Sequence, residues 1–324
     1  MTLRKTVFIP AVLAVAIVLI AQQPVPQDVQ TVQSTVTSTS VTQPEIPAAV
    51  AKTASLPPTN DPKEIVRRSV DADHHNWELA RSYTCRQHEV QKRLDKHGEA
   101  KSTEIKTYDV NFYYGREYSY LTEKNDEPLS ASERKKEDEK LEKFLAKLRN
   151  ESEEERAKHE AKEKKEREEG RAFLRDMVNA YDFTLLGDEI VNGADTWVIE
   201  ATPRKDFHPT QPHADVLAKI KGKIWIEKKE YNWVKAEAES IDTITWGLFL
   251  VRIHKGSRFS FQQLRLNDEV WLLQRLYING GARLGLVKNE AIEQEDTFSN
   301  YKKFVTSSRM LPGVKEVPAE PPHK

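Results

Sequence analysis

The chain has 324 residues, of which 38% are hydrophobic and 31% charged, and 50 basic against 51 acidic side chains leave a formal charge of -1. That balance excludes nucleic-acid binding as a global property, because displacing counterions from phosphates needs a basic face. A single cysteine, Cys85, excludes an intramolecular disulfide framework and a cysteine-rich zinc site.

The first segment bears on compartment. Arg4 and Lys5 precede an apolar run over residues 7–21, VFIPAVLAVAIVLIA, and polarity returns at Gln22. A short basic stretch followed by about 15 apolar residues has the shape of a secretory signal. A spanning helix wants about 20 apolar residues, and Pro10 weakens a helix in this run. Leu19 stands where a cleavage site wants a small residue, so residues 1–21 read as a signal peptide or as an uncleaved amino-terminal anchor. No cysteine follows the run to take a lipid. The expected location is periplasmic or secreted. Residues 22–61 are built from Gln, Thr, Ser, Val and Pro without a sustained period, and read as a disordered linker. The Pro-rich residues 305–324 read as a disordered tail.

The folded part spans residues 62–304. Asn60 or Asp61 caps a helix with Pro62 at its first position, and Val66, Val70 and Trp77 give it one apolar face. Alternation and turn residues then predict strands over 83–94, 105–114 and 117–121. The composition shifts in an insertion over residues 129–181, where roughly 27 of the 37 residues from 133 to 169 are charged. Glu and Lys or Arg recur three and four apart, which predicts a solvated helix. Its only apolar stripe, Leu141, Phe144, Leu145 and Leu148, spans about two turns, short of a coiled coil. The second half projects into water or bends back, and Phe173, Leu174, Met177, Val178 and Tyr181 restore an apolar face.

Strand signals resume at Phe183. Segments 184–191 and 195–201 flank Asn192-Gly193, a strong hairpin signal. Further strands are expected at 220–227, 233–240, 248–254, 257–266 (with a bulge where the apolar parity slips), 269–278, 283–288 and 291–301. Gly280-Gly281 reads as a turn between two of them. Nine to eleven strands and two helical elements give an α+β fold: one large, curved antiparallel sheet, an incomplete β-barrel, covered by helices and carrying a long charged insertion.

Signals for chemistry are weak. His74 and His75 are adjacent, whereas a zinc-binding helix wants histidines four apart with a glutamate between. His208 and His213, with Asp206 and Asp215, sit in a Pro-rich loop that reads as an ordinary polar loop. No G-x-S-x-G or phosphate-cradling glycine motif occurs. Cys85 reads as a small buried residue. Nothing warrants an enzyme, a metal or a cofactor.

Two passages carry a resemblance. Residues 183–203, FTLLGDEIVNGADTWVIEATP, place a Leu-Gly-x-Glu hairpin before an alternating strand and a proline; residues 222–237, GKIWIEKKEYNWVKAE, turn a Trp-bearing strand into one ending Val-Lys-Ala-Glu. Together with the order helix, three strands, helical insertion and long meander, they resemble the outer-membrane lipoprotein carrier (LolA-like) superfamily. The resemblance implies a half-barrel whose mouth is crossed by helices over an apolar cavity for lipid or lipoprotein acyl chains, in a Gram-negative-type envelope. The cavity wall would then include Ile224, Ile226, Val234, Ala236, Ala238, Phe249, Val251 and Ile253, unless these side chains simply pack against the helices as ordinary core. A second reading from a different class is an envelope sensing protein that contacts a partner protein through residues 133–169.

Overall fold

A computed structural model describes residues 59–80, 82–246, 251–284 and 288–304. The leader, most of the linker, the tail and Phe249 lie outside the described residues. Among these residues three α-helices, α1 (Pro62–Ala80), α2 (Ala131–Arg149) and α3 (Glu153–Ala180), accompany a 3-10 turn at Ala214–Lys219. The strands are β1 (Tyr83–Leu94), β2 (Ala100–Tyr113), β3 (Arg116–Lys124), β4 (Glu127–Pro128), β5 (Tyr181–Val191), β6 (Ala194–Pro203), β7 (Ile220–Glu227), β8 (Trp233–Ser240), β9 (Ile244–Trp246), β10 (Val251–Ile253), β11 (Arg258–Leu266), β12 (Val270–Leu284) and β13 (Lys288–Lys303).

All of them join one open antiparallel sheet in the order β4-β3-β2-β1-β13-β12-β11-β8-β7-β6-β5, with β10 beside β12 and β9 beside β10. β13, the last strand in sequence, lies between β12 and β1 and stitches the early hairpins to the later meander. The hairpin between β5 and β6 turns at Asn192 (φ 50°) and Gly193 (φ 78°), the two positive angles that a two-residue turn of matching twist requires.

Three sequence expectations need correction. The charged insertion is two helices, because the chain breaks at Asn150 and restarts at Ser152. Ser130 and Ser152 each cap a helix in a reciprocal box with Glu133 and Glu155, so two start signals lie inside what reads as one charged run. Residues 269–278 and 283–288 belong to a single strand, β12, which runs straight through Gly280 and Gly281. These glycines serve close approach, not a turn: a Cβ on Gly280 would lie 2.3 Å from Ser257 Oγ, and one on Gly281 2.8 Å from His254 Nδ1. The His254 amide donates to the Gly281 carbonyl at 2.8 Å in the same contact. The strands also outnumber the expected nine to eleven. The bulge expected in β11 falls on its partner strand: Gln262 pairs with Arg275 and Gln263 with Leu273, so Gln274 of β12 is the extra residue.

The main core lies between the sheet and the helices α1 and α3. Ile65 and Val66 of α1, with Phe173, Leu174, Met177 and Val178 of α3, pack against Ile199, Ala201, Ile224 and Ile226. Burying a side chain such as Ile226 fully contributes about 1.5–3 kcal/mol. α1 also fills a split in the sheet. β13 pairs with β12 only from Arg275 onward. Before that point the Asn76 side chain donates to the Trp271 carbonyl (2.9 Å) and accepts from the Trp271 amide (2.7 Å), as a neighbouring strand would. The Tyr301 hydroxyl donates to the Leu273 carbonyl in the same gap.

Candidate ligand-binding face

Strand side chains alternate between two faces, so the register identifies which residues share the helix-facing, inner face. One cross-strand row runs Leu185, Ile199, Ile224, Ala236, Phe261, Leu276, Asp296, Glu89, Lys106. The adjacent row runs Phe183, Ala201, Gly222, Ala238, Phe259, Ile278, Gln294, Gln91, Glu104. Both rows change character at the same place, between β12 and β13. Along these two rows the inner face is apolar from β5 to β12 and polar from β13 to β2.

The apolar part has two zones. Under α1 and α3 it is ordinary core. Next to it, Phe261, Leu276 and Ile278 form a second cluster with half-buried Trp233, Ala236, Phe259, Leu273 and Phe298; Trp233 and Phe259 also pack against the main core, and Trp233 Nε1 donates to Ser69 Oγ of α1 at 2.7 Å. Among the described residues every member of this cluster comes from a strand. It is an apolar strip beside the helix-covered core, with partly exposed rims at Phe259, Phe298 and Ala236.

The polar part is hydrogen-bonded within itself. Asp296 is buried, and its carboxylate accepts from Gln87 Nε2 (3.1 Å) and Gln294 Nε2 (2.9 Å). Gln91 Nε2 donates to Gln294 Oε1 at 3.0 Å. Burial raises the Asp296 carboxyl above its ordinary value, and the amides of Gln294 and Gln87 pull the other way. Glu89, its register partner on β1, is likewise raised, first by burial and then by the Asp296 charge, with Lys106 opposing.

Of the eight sequence-proposed wall residues, seven are described, and they fall in several environments. Ile224, Ile226 and Ile253 lie in the helix-covered core. Ala236 lies in the strip, and Ala238 faces Phe259 in register beside it. Val234 lies elsewhere: Trp225 pairs with Lys235 and Ile226 with Trp233, so Val234 is the extra residue of a bulge. It packs with Val191, Val198, Trp225 and Trp271, apart from both inner clusters. Val251 is placed in β10 opposite Trp246 and Leu284. The strip residues on β11, β12 and β13 escaped the sequence reading, although Phe259 with Phe261 and Leu276 with Ile278 each show the period of two that would flag a shared face.

The carboxylates of the Pro-rich loop have structural partners. Asp206 pairs with Arg204 (2.8 Å), and Asp215 lies 3.9 Å from Lys219. The loop that holds His208 is anchored by buried Asp176 of α3, which accepts from the amides of Thr210 (2.8 Å) and Gln211 (2.9 Å) and from Thr210 Oγ1 (2.6 Å). Among the described residues no three His, Cys, Asp or Glu side chains gather as a metal site. Burial pushes the Cys85 thiol up to about 12, which keeps it protonated at neutral pH. Among the described residues no helix is long and apolar enough to cross a membrane.

In the charged insertion, α2 packs along β3, with Phe144 against Tyr118 and Tyr120 donating to Asp138 at 2.7 Å. The first part of α3 carries neighbouring opposite charges such as Lys162 with Glu166 and Lys165 with Glu169.

No protein-family model and no curated protein matches the chain. Solved structures do. A DUF1329 family protein from Desulfovibrio piger is 15% identical over 76% of this chain and 95% of that one, with a TM-score of 0.27. A LolA superfamily protein from Nitrosomonas europaea is 12% identical over 75% and 94%, also at 0.27. A domain assigned to outer-membrane lipoprotein sorting, from Vibrio parahaemolyticus, is 11% identical over 78% and 95%, at 0.26.

Proposed function

We propose that the protein is an exported, noncatalytic envelope component that holds an amphiphile, a lipid or the acyl chain of a lipoprotein, against the inner face of its half-barrel. The observation that carries this reading is the change of character along the two cross-strand rows. A greasy strip made of strand side chains lies directly beside a band of glutamines and carboxyls, so one molecule can lay its chain on the first and its polar end on the second. Each methylene removed from water contributes about 0.8 kcal/mol, which needs no reactive group. Export rests on the basic and apolar leader over residues 1–21. The alternative contact arm over residues 133–169 has less behind it, since many of its charges are answered by neighbours on the same helix.

The test uses the full chain and a fluorescent long-chain fatty acid. Saturable binding is expected, together with lipid that copurifies in native mass spectra. Ala236→Phe fills the strip from its half-buried rim and should weaken binding about ten-fold, the equivalent of losing contact with about two methylenes. A protein that binds no fatty acid and carries no lipid would overturn the proposal, as would undiminished binding by a folded Ala236→Phe variant.

A further inference from the structure

The two ends of the sheet are unlike. At one end β4 is two residues long and leads directly into α2. At the other, β5 runs for 11 residues, and among the described residues no strand pairs with its outer side. Its first half is held by the core through Tyr181, Phe183 and Leu185. A bulge then intervenes, with Leu186 as the extra residue and Gly187 at φ 144°. From Gly187 to the turn, the strand pairs regularly with β6 and its outer side is open. Proteins blunt such an edge with lysine, proline, other charges or a bulge; β5 has the bulge and acidic residues but neither lysine nor proline, and its last five residues remain regular.

The exposed side chains on this edge are specific in kind. Three large hydrophobic side chains are exposed among the described residues, and two of them, Leu186 (48%) and Ile190 (75%), are on β5. The hairpin over residues 181–203 contains Asp182, Asp188, Glu189, Asp195 and Glu200, and no lysine or arginine. Outside help is limited: Lys228 Nζ reaches both Asp188 (2.7 Å) and Asp195 (2.9 Å), one positive charge for two negative ones. In a chain whose total charge is -1, this hairpin is a local acidic pole. Asp188 and Ile190 are two residues apart, so they share a face of the strand, next to the turn where the edge is straight.

We propose that the edge of β5 over residues 187–191 binds an extended peptide segment that adds to the sheet as a further strand, with a basic residue opposite Asp188 and an apolar one opposite Ile190. Backbone hydrogen bonds supply the affinity of such strand addition, and side chains at alternate positions supply the selectivity. The recognised segment is short, because the bulge at Leu186 ends the usable edge. It carries lysine or arginine two residues from a branched apolar side chain, and it lacks proline and acidic residues.

The test uses the full chain and a short capped peptide of alternating lysine and valine, followed by fluorescence anisotropy. The controls are a glutamate–valine peptide and a lysine–valine peptide N-methylated at every second amide. The lysine–valine peptide should bind, and neither control should. Asp188→Asn and Ile190→Lys should each weaken binding about ten-fold or more, while both variants stay folded and keep the fatty-acid affinity of the parent. Binding of the N-methylated peptide, equal binding by the two variants, or no binding at all would overturn the proposal. So would a concentration-dependent dimer dissolved by Ile190→Lys, which would assign the edge to a second copy of the chain.

Discussion

Glu89 and Asp296 face one another as register partners on β1 and β13, and both titrate above their ordinary range because the inner face shields them from water. For a carboxyl raised in the folded state, the native protein holds its proton longer than the unfolded chain. Stability from this group is full at low pH and falls as pH rises from the ordinary value of 4.5 for Glu89 through its raised one. The surrounding charges are Asp296 on β13 and Lys106 and Glu104 on β2. Glu89→Gln should therefore raise the unfolding midpoint near neutral pH, with the gain fading below about pH 4.5, as thermal melts across that interval would record. Asp176 predicts the opposite kind of change. Asp176→Ala leaves two loop amides and a hydroxyl without their shared acceptor. A loss of about 2–3 kcal/mol in urea unfolding is expected, since hydrogen bonds to charged groups contribute about 1.5–3 kcal/mol. Neither group could be singled out from the sequence. With 51 acidic residues in the chain, nothing local distinguishes the few that the fold buries.

Secondary elements were more legible, because their signals are local. The hairpin at Asn192-Gly193 and the strands β7 and β8 follow directly from turn chemistry and alternation. Elements defined by distant neighbours were not. The glycine pair in β12 has the composition of a turn, and only the approach of His254 and Ser257 explains it. Asn76 likewise reads as one more polar residue on a helix, while its amide in fact completes a sheet 195 residues away. Asn76→Ala should cost about 2 kcal/mol, for two strand backbone groups that lose their partners at about 1 kcal/mol each. Amide hydrogen exchange at Trp271 should accelerate in that variant beyond what the global loss accounts for, because the protection there is supplied by one side chain.

At the scale of the whole molecule, the sequence reached the open sheet roofed by helices, since patterning and element order carry that information. The wall candidates read from the sequence centre on β7, β8 and β10, and the apolar strip proposed for the ligand adds β11 to β13. The strip centred on β11 to β13, and the polar band beside it, depend on which strands become neighbours, and β13 lies against both β12 and β1. Ligand linkage supplies a measurement at this scale. A fatty acid held by the folded protein alone should stabilise it by about 2.7 kcal/mol at a hundred-fold excess over its Kd, and the melting temperature should climb with ligand concentration. Phe261→Asp should abolish that dependence, but it also buries a charge, so Ala236→Phe is the cleaner comparison.

The position of β13 has a consequence for how the molecule comes into being. Residues 83–128 and 181–284 supply two separate stretches of sheet, and neither touches the other through strand pairing until residues 288–303 slot between them. Contacts between β1 and β13 join residues about 200 positions apart, and such distant closures form slowly. Until residues 288–303 dock, the two stretches stay unlatched, so completion of the sheet is expected to be the late step of folding.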